Sequence, residues 1–377
     1  MMQLNTDYKQ VFINLAADLY DVKETIFEIE LYGNTQEVYR EAGAIGTWAG
    51  ITFNTDTYDD PNQGYGYGFL NATGVLWEKY ANPTTLYSYD LRRDFAIAPF
   101  TLSGNPAVER ARPITEIYQR DAGKYRRVYE RVLPKEKSYS PINYPILRYS
   151  DVLLMFAEAD NFINSGPTPE AIDAVNQVRR RGYGKYLNGI GQVAESIKTI
   201  RLDNGGANYT STPVVTISGG GGEGAKATAT RSTANRITAI TLTNPGSKFT
   251  SMGSIVVSIT GGGGTGALAS VTALTSATEA DLQPADVSSE LAFLTTIQHE
   301  RSRELCFEGL RKGDLVRWGL LVKNMKIVYN HILEANLPSS ISYAQWSYLN
   351  VSDRDVVWPI PAREMGLNSA LIQNRGW

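Results

Sequence analysis

Cysteine is nearly absent from this chain: Cys306 is the only one in 377 residues. One thiol excludes an internal disulfide and any cysteine-ligated metal cluster, and its place in an apolar helix predicts a buried, inert side chain. Histidine is almost as scarce, with only His299 and His331. His299-Glu300 looks like the start of a zinc-protease helix, but Arg303 stands where the second ligand of that motif would be. No metal and no cofactor are expected. A dominant charge sign is missing as well. With 36 basic against 39 acidic residues, nothing favours nucleic acid or an anionic membrane surface as a partner. The longest basic run, Arg179–Arg181, reads as a charge cap at a helix C-terminus. No apolar run reaches transmembrane length, and the N-terminus shows no basic-plus-apolar leader.

What the chain does have is one dense stretch of alternating charge, Glu300 to Gly319. Upstream, Leu291, Leu294, Ile297, Arg301 and Leu305 recur at helical spacing, which sets Arg301 on an apolar stripe. A charge facing a core needs a partner. Arg148, Glu158, Arg301, Glu304, Glu308, Arg311, Asp314 and Arg317 are therefore expected to form an internal ion-pair scaffold.

The periodicity predicts helices over about 4–20, 144–163, 169–181 and 286–334, and a strand at Thr25–Leu31. Two helices joined by the turn Ser165–Pro169 suggest a tetratricopeptide-like pair. Residues 188–278 break the pattern with an internal duplication. Ile200-Arg-Leu-Asp-Asn-Gly-Gly, Tyr209-Thr-Ser and Gly219–Gly222 recur as Ile240-Thr-Leu-Thr-Asn-Pro-Gly, Phe249-Thr-Ser and Gly261–Gly264. Short Val/Ile/Thr runs bounded by glycine predict strands and tight turns. The tetraglycines lack the Gly-Lys-Ser/Thr of a phosphate loop, so they are read as turns.

From Thr35 to about Ser140 the chain has little periodicity, which predicts long ordered loops, and such loops tend to carry function. Trp48, Phe53, Tyr58, Tyr65, Tyr67, Phe69, Trp77 and Tyr80 interleave there with Gly, Asn, Asp and Thr. Aromatic platforms beside amides and carboxylates suit the apolar faces and hydroxyl rims of sugars. The ligand-binding candidates are Trp48, Tyr58, Tyr65, Tyr67 and Trp77; the competing reading is that these rings pin the loops to the core. Asp56, Asp59, Asp60, Glu78 and Asp90 leave a glycoside hydrolase open as an alternative.

Four ordered stretches carry a family resemblance. They are Ile146-Leu-Arg-Tyr-Ser-Asp-Val-Leu-Leu-Met-Phe-Ala-Glu-Ala159, Ala174-Val-Asn-Gln-Val-Arg-Arg-Arg181, Glu300–Gly319, and Trp358-Pro-Ile-Pro361 with Asn368 and Gln373-Asn374-Arg375-Gly376. Together they resemble the SusD/RagB family of nutrient-binding proteins; residues 1–145 match it only loosely. The resemblance implies a mainly α fold of tetratricopeptide-type helix pairs with long ordered loops, here interrupted by a β-rich repeat insertion. The chain then divides into 1–187, the insertion 188–278, and 279–377. It implies non-catalytic glycan binding at the outer face of the outer membrane and delivery to a SusC-like TonB-dependent transporter. An extracellular peptide binder of the same architecture is the alternative. It further implies a lipid anchor and an upstream portion of the protein before Met1.

Overall fold

The structure is a computed structural model and describes residues 2–33, 41–53, 63–80, 88–104, 106–185, 195–275 and 279–377. The N-terminal quarter of the chain holds α1 (Tyr8–Ala16), β1 (Thr25–Ile29), α2 (Ile45–Ala49), α3 (Gly74–Glu78) and α4 (Leu91–Ala96). Asp7 caps α1 by accepting from the Lys9 amide, which satisfies one of the orphan donors of a helix start. A hairpin of β2 (Phe100–Ser103) and β3 (Val108–Ala111) follows, then β4 (Tyr144–Arg148), α5 (Tyr149–Ile163) and α6 (Pro169–Gly182). The helix expected over 144–163 thus begins five residues late. Tyr144–Arg148 instead pairs antiparallel with β1, because Pro145 lacks an amide proton and disfavours a helical residue before it. α6 starts as its sequence signals, with Thr168 as N-cap and Pro169 in the first turn.

After the insertion come α7 (Glu290–Glu304), α8 (Arg311–Arg317), α9 (Leu321–Glu334), α10 (Ser339–Ser342), α11 (Gln345–Leu349) and α12 (Ala362–Leu367). Leu153, Leu154 and Ala157 of α5, Ala171, Ala174, Val175 and Val178 of α6, and Phe293 and Ile297 of α7 share one apolar core. Leu291 is not on that stripe: it is 73% exposed. The buried face of α7 runs instead through Phe293, Ile297, Glu300, Arg301 and Glu304.

Carboxylates and cations fill the space below this apolar layer. Arg92 donates to Glu300 at 2.6 Å and to Asp90 at 2.7 Å. Arg148 reaches Glu24 at 2.9 Å, Glu304 at 3.1 Å and Glu308 at 2.8 Å. Arg181 bridges Glu24 at 2.9 Å and Glu304 at 2.6 Å, and Lys124 binds Glu308 at 2.6 Å. Arg301 is buried between Asp151 and Asp314, while Arg317 and Trp318 both donate to Glu158. Breaking one such buried pair costs about 3–5 kcal/mol, since the surviving charge is left desolvated. Three tyrosine hydroxyls, Tyr8, Tyr80 and Tyr125, satisfy the carbonyls of Glu304, Arg303 and Phe307 at the end of α7. Cys306 is buried beside Tyr80, and burial raises its thiol pKa.

The insertion is a six-stranded antiparallel sheet. Its strands are β5 (Ile197–Ala207), β6 (Val214–Gly219), β7 (Glu223–Arg231), β8 (Ile237–Ser247), β9 (Ile255–Thr260) and β10 (Thr265–Leu274), in the order β5-β10-β9-β6-β7-β8. β6 pairs with β9 so that Val215 faces Ile259, Thr216 faces Ser258 and Ile217 faces Val257. Thr216 and Ser258 occupy the same place in the two repeats, so a local two-fold axis passes through that pair. Tyr209 and Phe249 are both buried, each against the glycine loop of the other repeat. A Cβ at Gly264 would lie 2.4 Å from the Tyr209 ring, and one at Gly222 would lie 2.4 Å from the Phe249 ring. Only glycine admits that approach. The sheet leaves and returns to the helical part at one place, where Ser196 and Thr275 exchange backbone and side-chain hydrogen bonds.

Candidate functional site

The aromatic loop residues separate into buried and exposed sets. Trp77 lies on α3, is 1% exposed, and has the guanidinium groups of Arg93 and Arg120 over its ring at 4.1 and 4.7 Å. It packs with Ala72, Tyr80 and Ile97. The expectation that Trp77 offers an open platform is therefore corrected: cations and core side chains enclose it. Tyr65 is also buried, edge-on to Tyr67 at 4.8 Å, and its carbonyl accepts from Arg127; it too is packing. Tyr58 lies outside the described residues.

Trp48 and Tyr67 remain, joined by Phe69. Trp48 is 58% and Phe69 65% exposed. The Tyr67 and Phe69 rings stack at 4.9 Å with an interplanar angle of 18°. Backbone hydrogen bonds from Tyr67 to Thr47 and from Phe69 to Trp48, 2.8 and 2.9 Å, hold the two segments side by side. Between them the chain turns at Gly68, φ +63. A Cβ there would come within 2.0 Å of the Thr52 hydroxyl.

Phe69 forms one wall of a cleft of about 520 Å³. The stretch 68–73 makes one side and the segment Arg112 to Asp121 the floor. The end of α9 with α10 and α11 makes the other side, through Ser340, Tyr343, Ser347 and Tyr348. The lining offers amides (Asn71, Gln119), hydroxyls, the Arg112 guanidinium and two exposed rings, Phe69 and Tyr343. Asp121 is its one carboxylate among the described residues. Burial raises the Asp121 pKa against the Thr52 amide and Asn71, which donate to it at 2.8 and 3.0 Å. Behind the cleft a chain of hydrogen bonds runs from Tyr118 to His331 Nδ1 and from His331 Nε2 to Glu78. It ties the floor to α9 and α3. Burial pushes Tyr118 up to about 12, so its hydroxyl stays protonated.

The carboxylates considered for hydrolysis do not converge here. Asp90 is fully buried on Arg92, Glu78 is exposed beside His331, and Asp56, Asp59 and Asp60 lie outside the described residues. His299 is exposed, and no group of three potential metal ligands occurs among the described residues. On the α9–α11 wall, sequence reasoning named the Tyr343–Tyr348 loop only as the fallback site should Trp48 and Trp77 prove to be packing. The Ser/Tyr/Trp-rich run around Tyr343–Tyr348 was the available signal, but it has no periodicity that ties it to residues 270 positions earlier.

Comparison with solved structures gives a SusD homolog from Bacteroides thetaiotaomicron VPI-5482 at 22% identity and a TM-score of 0.65, covering 100% of this chain and 56% of that one. Surface glycan-binding protein A from Bacteroides thetaiotaomicron aligns at 16% identity and a TM-score of 0.48, over 99% and 56%. The same protein in complex with laminarihexaose aligns at 16% and 0.45, over 99% and 56%. The chain thus spans little more than half the length of these proteins. No curated protein sequence matches it. The model of the SusD family matches residues 101–198 and 269–377, more than half of the chain, and leaves out the stretch that forms most of the six-stranded sheet. The motifs read from Ile146 onward lie in those matched segments, and the chain belongs to the SusD family.

Proposed function

We propose that this chain binds an oligosaccharide non-catalytically, with the sugar stacked on the rim formed by Trp48, Tyr67 and Phe69 and hydrogen-bonded in the adjoining cleft. One observation carries the reading: exposed rings stand at the edge of a cavity rich in amide, hydroxyl and guanidinium groups, with a single, already engaged carboxylate among the described residues. Stacked rings take the C–H face of a sugar and planar polar groups take its hydroxyls. A glycosidase needs two carboxylates flanking one bond, and among the described residues the cleft offers one. In keeping with the family, the protein would act at the outer face of the outer membrane, held by a lipid anchor, and pass its ligand to a SusC-like TonB-dependent transporter. The α5–α6 pair fits the tetratricopeptide-type scaffold that such a protein would use.

The test is isothermal titration with a linkage-diverse panel of oligosaccharides, laminarihexaose among them, together with a reducing-end assay. Binding without sugar release, weakened in Trp48→Ala and Phe69→Ala, supports the proposal. Release of reducing ends, or binding of peptides in place of sugars, overturns it.

A further inference from the structure

Buried cations in this fold are matched by carboxylates at Arg92, Lys124, Arg148, Arg181, Arg301 and Arg303. A second cavity, of about 240 Å³, is lined by two half-buried cations that lack such a partner among the described residues. It lies between α3, the turn from α7 to α8, and α9. Its walls are apolar, with Leu76, Leu305, Phe307, Leu315, Met325 and Val328 among them, and Lys79 and Arg311 also line it. Among the described residues neither cation has a carboxylate within ion-pair distance. Arg311 donates to the Gln298 carbonyl at 3.2 Å and sits 5.6 Å from the Trp318 ring. Asp314, the one acid lining the cavity among the described residues, is already held by Arg301 and Arg317. Burial, then the neighbouring Arg311 and Arg303, lowers Lys79 to about 8 against the opposing charge of Glu78.

We propose that this cavity binds a small carboxylate with an apolar body, its chain or ring among Leu76, Leu305, Met325 and Val328 and its carboxylate between Lys79 and Arg311. Two unpartnered cations beside an apolar hollow select for both features at once, since a neutral hydrocarbon leaves the charges unmatched and a bare anion leaves the walls unfilled. The site is separate from the aromatic rim and stands whether or not the neighbouring cleft takes a sugar.

Titration calorimetry and thermal melts with octanoate, and with octanol as its uncharged counterpart, test the proposal. Octanoate should bind saturably and raise the melting temperature, with octanol at least tenfold weaker. Lys79→Met keeps the length of a half-buried side chain and should lower octanoate affinity about ten- to a hundredfold, with octanol unchanged. Acetyl-Leu-Leu-Phe carries the same carboxylate on a peptide. Tighter binding of octanoate assigns a free acid, and tighter binding of the peptide assigns a peptide C-terminus. Absence of saturable binding of both acids overturns the proposal. So does equal binding of octanoate and octanol, or an equal loss of both in Lys79→Met. If Lys79→Met melts well below the wild type, Lys79→Arg, which keeps the charge, must retain octanoate binding for the proposal to stand.

Discussion

The helical part and the sheet inserted into it solve the same problem, holding distant segments together, with opposite materials. In the helical part, Glu24, Asp90, Lys124, Arg148, Arg181, Glu300, Glu304 and Glu308 meet in a buried interior. Every arm of the chain delivers one charge to the others. In the insertion, no charged residue is buried among the described residues. Its strands are tied by backbone ladders and by two aromatic rings set into glycine loops. A buried charge network is intolerant of partial loss, because each remaining ion keeps its desolvation cost. A ladder with small contacts loses strength in smaller steps.

The largest expected effect comes from breaking the network at its most connected point. Glu304 accepts from Arg92, Arg148 and Arg181. Glu304→Gln should cost about 3–5 kcal/mol, read by chemical denaturation, while segment-resolved hydrogen exchange in the insertion stays near wild type. Equal loss of protection in both regions would mean that they unfold as one unit.

Acid provides the second contrast. Burial alone would raise the Glu304 pKa, but Arg181, Arg148, Arg92 and Lys124 outweigh it and hold the carboxyl at about 2. Its folded pKa lies below the ordinary glutamate value of about 4.3. The stabilisation is therefore complete above that value and is lost as pH falls from there toward 2. It amounts to about 3 kcal/mol for this one group. Helical circular dichroism should melt progressively earlier between pH 5 and pH 2, while exchange protection in β6 and β9 changes little. A flat melting temperature over that range would contradict the network.

A smaller change is expected from removing the insertion. Ser196 and Thr275 already lie together, so a short Gly/Ser linker in place of 197–274 closes a loop that the fold has already closed. The remainder should unfold cooperatively, with helical content kept and stability within about 2 kcal/mol. Loss of cooperativity would show that the sheet shares the main core.

The smallest effect on stability is expected at Trp48, and Trp77 is its contrast. Trp77→Ala empties an enclosed site and should cost about 3–5 kcal/mol, whereas Trp48→Ala should stay within about 0.5 kcal/mol. Trp48→Ala should instead weaken oligosaccharide binding roughly three- to tenfold. Titration and melts of both variants decide it; a large thermal loss in Trp48→Ala would move that ring to the packing set.

How much of this was legible in the sequence depends on the range of the forces involved. Arg301 on an apolar stripe announced a buried charge, and the charge is buried between Asp151 and Asp314. A local period was enough for that inference. The duplication announced strands and turns in the same way. Composition could not sort Trp77 from Trp48, since both sit in the aromatic-rich stretch with little periodicity. What distinguishes them is Arg93 and Arg120 arriving from elsewhere over the Trp77 ring. The start of α5 was misplaced for a comparable reason. Residues 144–148 are claimed by pairing with β1, more than a hundred positions earlier. The cleft wall from α9 to α11 joins Phe69 only through tertiary folding, and no pattern along the chain encodes that meeting.

The exchange of rings between the two repeats has a consequence for how such a module can arise. Tyr209 needs the loop at Gly261–Gly264, and Phe249 needs the loop at Gly219–Gly222. One copy by itself would carry an unlodged ring and an unfilled loop, and would have to find both counterparts on a second molecule through a two-fold, self-complementary contact. Tandem duplication places that second molecule on the same chain, about forty residues away. An assembly that would depend on protein concentration becomes one that depends only on tether length. The unit that can be gained, lost or transplanted is therefore the pair.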